Sequence, residues 1–326
     1  MKVTALLVML LPVLVIGAPG CDSGDDTEDK VGHDDAPQVV LPIERDGVYV
    51  LELTNGNDTL LFECTAEEGG LITKFQLSGN EMISQLPTVN ASGSTFWSSP
   101  QSDWNWPPPS AIGGDDYIAS VDETNHAIEL TSAMDDSLEV QVVKRFSADL
   151  ENMAIDLTYT IINTSDETQQ YAPWEVTRVV PGGLTFYPEG EGGIYNEGTM
   201  KELPLTNENG ITWFDHGEGI GLTGDYKLFA DGADGWLAHV QNQMIFVKVF
   251  EDIPPADRAP GEGEIELYVK GNSHQEIEQQ GAYVEIPSGE EMSWTVKWYL
   301  HPLPAGSSQT VGDSGLVEFA ASLSQR

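Results

Sequence analysis

Residues 153–166 read MAIDLTYTIINTSD. Met153, Ile155, Leu157, Tyr159 and Ile161 alternate with Ala154, Asp156, Thr158 and Thr160, and Asn163-Thr164-Ser165-Asp166 ends the run. A period of two puts apolar groups on one side of a pleated strand and polar groups on the other. The segment predicts a half-buried strand. The same reading extends outward. Val48, Val50 and Glu52 alternate with Tyr49, Leu51 and Leu53, Asn55-Gly56-Asn57-Asp58 turns the chain, and Leu60–Cys64 returns as the second arm of a hairpin. Glu68-Gly69-Gly70 turns again into 71–77. Further strands are predicted at 127–131, 138–146, 171–180, 236–240, 244–250, 265–269, 282–286 and 292–300. Only 315–323 reads as a helix, with Leu316, Val317, Phe319, Ala320 and Leu323 at helical spacing. Many short strands between Gly- and Asn-rich turns predict an all-β antiparallel sandwich. Long connections are expected at 86–120 and 181–210. No composition break follows residue 38, so one large domain is expected over 39–326.

The chain has 326 residues, with 53 Asp plus Glu against 14 Lys plus Arg, a formal charge of −39. That balance argues against nucleic-acid backbones, which need clustered cations. It argues equally against docking on anionic lipid through a basic patch. Apolar residues are 40% of the chain, with 8 Trp, 10 Tyr and 10 Phe, enough to bury a core despite the charge. Two cysteines cannot build a disulfide scaffold or a Cys-based zinc site. Cys64, in an apolar strand-like run, reads as a buried inert thiol. Asp231, Asp234 and Gly235 only loosely suggest a calcium loop, and the EF-hand pattern is absent, so no metal is expected. With no P-loop, GxGxxG or GxSxG motif, no cofactor is expected either.

The N-terminus reads MKVTALLVMLLPVLVIGAPGC. A cationic start, an apolar stretch from Thr4 to Ile16 and small residues after it predict a signal peptide over 1–20. The small residues before Cys21 resemble the lipobox of bacterial lipoproteins, in which the chain is cut before a cysteine that carries a diacylglycerol. The resemblance implies lipidation of Cys21 and an extracytoplasmic place in the bacterial cell envelope, with membrane contact only through the lipid. An ordinary cleaved signal with an incidental cysteine is the alternative. Residues 21–38, largely acidic and without an apolar pair, read as a solvated tether.

Three landmarks resemble the galactose mutarotase-like (aldose epimerase-like) supersandwich clan. They are Glu68-Gly69-Gly70-Leu71-Ile72 through Gly79-Asn80-Glu81; the Asn163 turn leading to Tyr171-Ala172-Pro173-Trp174-Glu175; and Ile277-Glu278-Gln279-Gln280 followed by Pro287-Ser288-Gly289-Glu290. An uncharacterised bacterial lipoprotein family within that clan is more similar still. The likeness lies at 94–101 (STFWSSPQ), 104–108 (WNWPP), 235–239 (GWLAH) and 294–300 (WTVKWYL). The resemblance covers nearly all of 45–305 and implies a large antiparallel β-supersandwich that binds carbohydrate as a monomer.

In aldose epimerases a Glu removes the anomeric hydroxyl proton and a His protonates the ring oxygen. The resemblance places Glu278 as the base. Trp174-Glu175 stands where the catalytic His would be, so Glu175 or His239 is the candidate acid. Alternation along the strand puts Glu276 and Gln280 on the face of Glu278. Trp97, Trp104 and Trp106 crowd a proline-rich stretch with Gln101 and Asn105. Indole faces stack on the C–H faces of sugar rings while amides and Arg178 meet hydroxyls, so this stretch is a candidate sugar platform. Each candidate has a plainer reading. Glu175 would be a structural ion pair with a distant cation such as Arg145, His239 a hydrogen-bonded core histidine, and the Trp stretch a plug over the sandwich end. Three functions follow: carbohydrate binding with epimerase-like acid/base chemistry, a non-catalytic glycan- or protein-binding module, or a paired-carboxylate glycoside hydrolase or lyase.

Overall fold

The computed structural model describes residues 37–87, 91–195, 200–217 and 220–326. Cys21, the signal peptide over 1–20 and nearly all of the expected tether lie outside the described residues. The 21 strands among the described residues form one hydrogen-bonded network.

Their antiparallel pairings run in two series. The first passes from Gln38–Arg45 through Val48–Asn55, Asp58–Thr65, Ile72–Leu77 and Ser94–Ser99 to Gln169–Val179. It continues through His274–Gln280, Ile265–Lys270 and Asp225–Gly232. The second passes from Ile118–Asp122 through Ala127–Thr131, Val140–Asp149, Ala154–Asn163 and Glu291–Pro302. It continues through Met244–Val249, Trp236–Gln241, Leu184–Tyr195, Ile211–Asp215 and Thr206–Glu208. Leu184–Tyr195 joins the series, pairing first with Trp236–Gln241 and then with Asp225–Gly232.

The two sheets face each other across the main core. Aromatic pairs bridge it: Phe62 on Phe146 at 5.1 Å, Phe75 on Trp298 at 5.1 Å, and Phe96 stacked on Tyr159 at 4.6 Å. Ile155, Leu157, Tyr159 and Ile161 all lie in this core, so the alternation read from 153–161 marks a true face. The outer side of the second sheet is covered by the helix Ser314–Leu323. Its Leu316, Ala320 and Leu323 pack with Phe186, Trp213 and Trp236. Asp313 caps this helix through the Gly315 and Leu316 N–H groups. The first sheet's outer side carries a third, smaller cluster of Trp97, Trp174 and Val176, with Trp104 against it.

Both expected long connections contain strands. Ser94–Ser99 lies within 86–120 and Leu184–Tyr195 within 181–210. Ser94–Ser99 is buried at every position, one face on the core and the other under the Trp cluster. A strand covered on both sides has no alternation to read. Leu184–Tyr195 changes sheet midway, which breaks its pattern in the same way.

Candidate functional site

A cleft of about 1020 Å³ opens on the outer side of the first sheet. Strand register explains which residues line it. Trp97 pairs with Trp174, Val176 with Glu278, and Arg178 with Glu276. One strand further, Glu278 pairs with Glu266 and Glu276 with Tyr268, and beyond these Glu266 pairs with Phe229 and Tyr268 with Lys227. Directly paired residues of an antiparallel sheet share a face. These side chains therefore form one floor of carboxylates, cations and rings.

Two charged groups sit in that floor. In the first, Lys227 Nζ lies 2.8 Å from Glu278 Oε1 and 2.6 Å from Glu266 Oε2. Glu278 Oε2 accepts from Trp174 Nε1 at 2.9 Å. Glu266 Oε1 accepts from the Gly263 N–H and from Gln280 Nε2, each at 2.8 Å. One ammonium cannot neutralise two buried carboxylates. Burial accordingly raises the carboxyls of both Glu266 and Glu278, with Lys227 only partly opposing it. The same two carboxylates outweigh burial at Lys227 and hold its ammonium above the ordinary lysine range. In the second group, Glu276 Oε1 accepts from Arg178 Nε at 2.9 Å and lies 3.1 Å from His274 Nε2. Burial works against the Glu276 charge, but Arg178 and His274 together hold this carboxyl below its usual range. Cation–ring contacts tie both groups to the aromatic wall: Lys227 Nζ is 5.5 Å from the Trp174 ring, and Arg178 is 5.5 Å from that of Trp97.

The structure brings Trp97, Gln101, Trp106, Arg178 and Glu278 into the cleft lining. Trp104 stands behind them, 5.8 Å from Trp97 and 6.4 Å from Trp174, with its Nε1 donating to the Ser98 carbonyl. Gln280 lies on the cleft face but is fully buried, with its Nε2 donating to Glu266. Asn105 takes a left-handed turn conformation, is exposed, and does not line the cleft.

Glu175 and His239, the two candidate acids, also lie away from the cleft. Glu175 pairs with Gln279, one residue out of phase with Glu278, so it points through the sheet into the core. Its oxygens take Lys248 Nζ at 2.8 Å, Trp298 Nε1 at 3.0 Å, Gln279 Nε2 at 2.5 Å and Tyr159 Oη at 2.7 Å. The structural ion pair is thus the one observed, but with Lys248. Arg145 instead meets Asp122 and Glu129. His239 is wholly buried, with Nδ1 2.9 Å from Thr185 Oγ1, and burial pushes its imidazole down to about 3. A group so placed is a core histidine and cannot reach a ligand in the cleft. Cys64 is also fully buried, and burial raises its thiol.

Lys227, Glu266, Tyr268 and Phe229 carry no motif of their own in the sequence reading, and Glu276 enters it only as a neighbour on the face of Glu278. A signal existed: alternation along 265–270 puts Glu266, Tyr268 and Lys270 on one side. Which side meets the core depends on the neighbouring strands, and those lie far away in sequence.

No protein-family model and no curated protein matches this chain. Solved structures do. A galactose mutarotase-like protein from Lactobacillus casei superposes with a TM-score of 0.53 at 11% identity, covering 77% of this chain and 100% of that one. The Slr1438 protein from Synechocystis gives 0.52 at 13% identity, with 81% and 98% covered. A TPR-domain-containing protein from Parabacteroides distasonis gives 0.53 at 14% identity, and there the chain covers 81% of itself but spans only 49% of the other. The fold is galactose mutarotase-like, an antiparallel β-supersandwich. At such identities the likeness speaks for the fold alone.

Proposed function

We propose that this protein binds carbohydrate in the cleft on the first sheet, held at a bacterial cell envelope by a lipid on Cys21. The observation that carries the reading is the shared floor of Trp97, Trp174, Arg178, Lys227, Glu276 and Glu278. Sugars present apolar C–H faces beside hydroxyls that both donate and accept. Rings beside ordered carboxylates and cations complement both, and strands hold them rigidly, which limits the entropy lost on binding. The galactose mutarotase-like fold of the Lactobacillus casei protein agrees with this ligand class. A glycan array probed with the purified protein tests it. Binding that falls at least tenfold in Glu278→Gln is expected, and an array without a hit overturns the reading.

Acid/base chemistry on the bound sugar is the second reading. Burial raises the Glu278 carboxyl and so makes it a better proton acceptor than an exposed carboxylate. The partner acid would have to come from the cleft itself, since Glu175 and His239 face the core. Anomer exchange on an array hit, followed by NMR, separates the readings: exchange no faster than the buffer rate leaves binding alone. Fatty-acid labelling tests the anchor. Label is expected on the native chain and absent from Cys21→Ser.

A further inference from the structure

We infer that the cleft reads an oligosaccharide of at least two sugar units, with Trp106 as the outer platform; this rests on the carbohydrate reading above. Three observations converge on it. The first is size. Along the strand His274–Gln280, the cleft-lining residues His274, Glu276 and Glu278 extend over about 13 Å at roughly 3.3 Å per residue. From the Trp97 strand to the Phe229 strand the floor crosses successive neighbours about 4.8 Å apart, about 19 Å in all. One pyranose ring covers only a fraction of that floor. The volume of about 1020 Å³ likewise stands at the top of the range of about 300–1,000 Å³ that serves drug-sized ligands.

The second observation is that polar recognition is duplicated. Lys227 with Glu266 and Glu278 forms one charged group; Arg178 with Glu276 and His274 forms the other. The carboxylates of the two groups stand in successive rows of the sheet, Glu278 opposite Glu266 and Glu276 opposite Tyr268, with Lys227 reaching from the second row to the first. Two ordered polar patches in successive rows suit two sets of ring hydroxyls better than one.

The third is the division of labour among the indoles. Trp97 and Trp174 are 6% and 2% exposed and pack on each other at 5.3 Å, so they close the inner wall. Trp106 lines the same cleft yet is 56% exposed. It is held edge-on to Trp97 at 5.8 Å and 81°, on a segment stiffened by Pro107, Pro108 and Pro109. A large ring kept ordered in water at a cleft mouth gains little from folding and is available to a ligand. Its place at the mouth matches a sugar unit that extends beyond the floor.

Calorimetry with mono-, di- and trisaccharides of glucose, galactose, mannose and N-acetylglucosamine tests the inference. For the sugar that binds, affinity is expected to rise at least tenfold from mono- to trisaccharide. Trp106→Ala should then weaken the trisaccharide at least fivefold more than the monosaccharide, and Trp106→Phe should restore part of the difference. A monosaccharide that binds as tightly as its trisaccharide, or equal losses on both in Trp106→Ala, overturns the oligosaccharide inference and leaves carbohydrate binding standing. No binding by any sugar overturns both.

Discussion

Two lysine–carboxylate clusters lie on opposite faces of the first sheet, and they differ in what closes them. On the core side Lys248 holds Glu175, and both side chains are completely buried. Tyr159, Trp298, Thr177 and Gln279 fill the remaining hydrogen-bonding positions. On the cleft side Lys227 holds Glu266 and Glu278, and its own side chain is 11% exposed. The same residue types one pleat apart thus make a sealed strut on one face and an open recognition surface on the other. A charge enclosed by protein donors is structural. A charge left at the edge of a cavity has room for a further partner.

The largest expected effect breaks the sealed cluster. Lys248→Met strands Glu175 in the core and should cost about 3–5 kcal/mol, read from urea unfolding. Glu175→Gln with Lys248→Met should recover much of that loss, because no charge then stays buried alone. A Lys248→Met protein as stable as the native one would show that the strut contributes nothing.

The second expectation concerns pH on the same core side, where Thr185 links His239 to Gln275. The His239 imidazole lies at about 3 when folded, far below its ordinary 6.5. The unfolded chain therefore binds a proton between these limits that the folded chain refuses. Stability due to this group is complete above about pH 6.5 and is lost as pH falls toward 3, on the order of 5 kcal/mol at the acid end. His239→Asn should flatten the acid limb of a thermal-unfolding profile. An unchanged slope would place the acid sensitivity elsewhere.

Opening the cleft cluster should cost less. Lys227→Met leaves two carboxylates facing each other, but burial already raises both carboxyls and either can take a proton. About 2 kcal/mol of stability is expected to go, together with glycan binding. A loss equal to that of Lys248→Met would erase the contrast between the two sides. The smallest expected effect on stability is Glu278→Gln, about 1 kcal/mol, since the amide keeps the shape and its oxygen can still accept from Lys227, while its NH2 group no longer accepts from Trp174. Its signature is weakened sugar binding at near-native stability.

Much of this architecture was legible in sequence. The alternation at 153–161, the Asn-Gly hairpin at 55–58 and the terminal helix all depend on local periodicity and turn chemistry, and each stands where it was read. The central strand Ser94–Ser99 was not legible, because burial on both faces removes the periodic signal. The site was legible only in part. Glu278 came from resemblance and the Trp stretch from the chemistry of its side chains, while Lys227 and Glu266 carried no motif.

By itself, the sequence determined that this chain is a strand-built, strongly acidic protein, and it named Glu278 and Trp97 as residues to watch. Tertiary structure alone decided that Glu175 belongs to the core while Lys227 and Glu266 belong to the cleft. Alternation establishes that neighbouring residues face opposite ways. Which way is outward depends on what packs against each face, and here those partners come from strands distant in the chain.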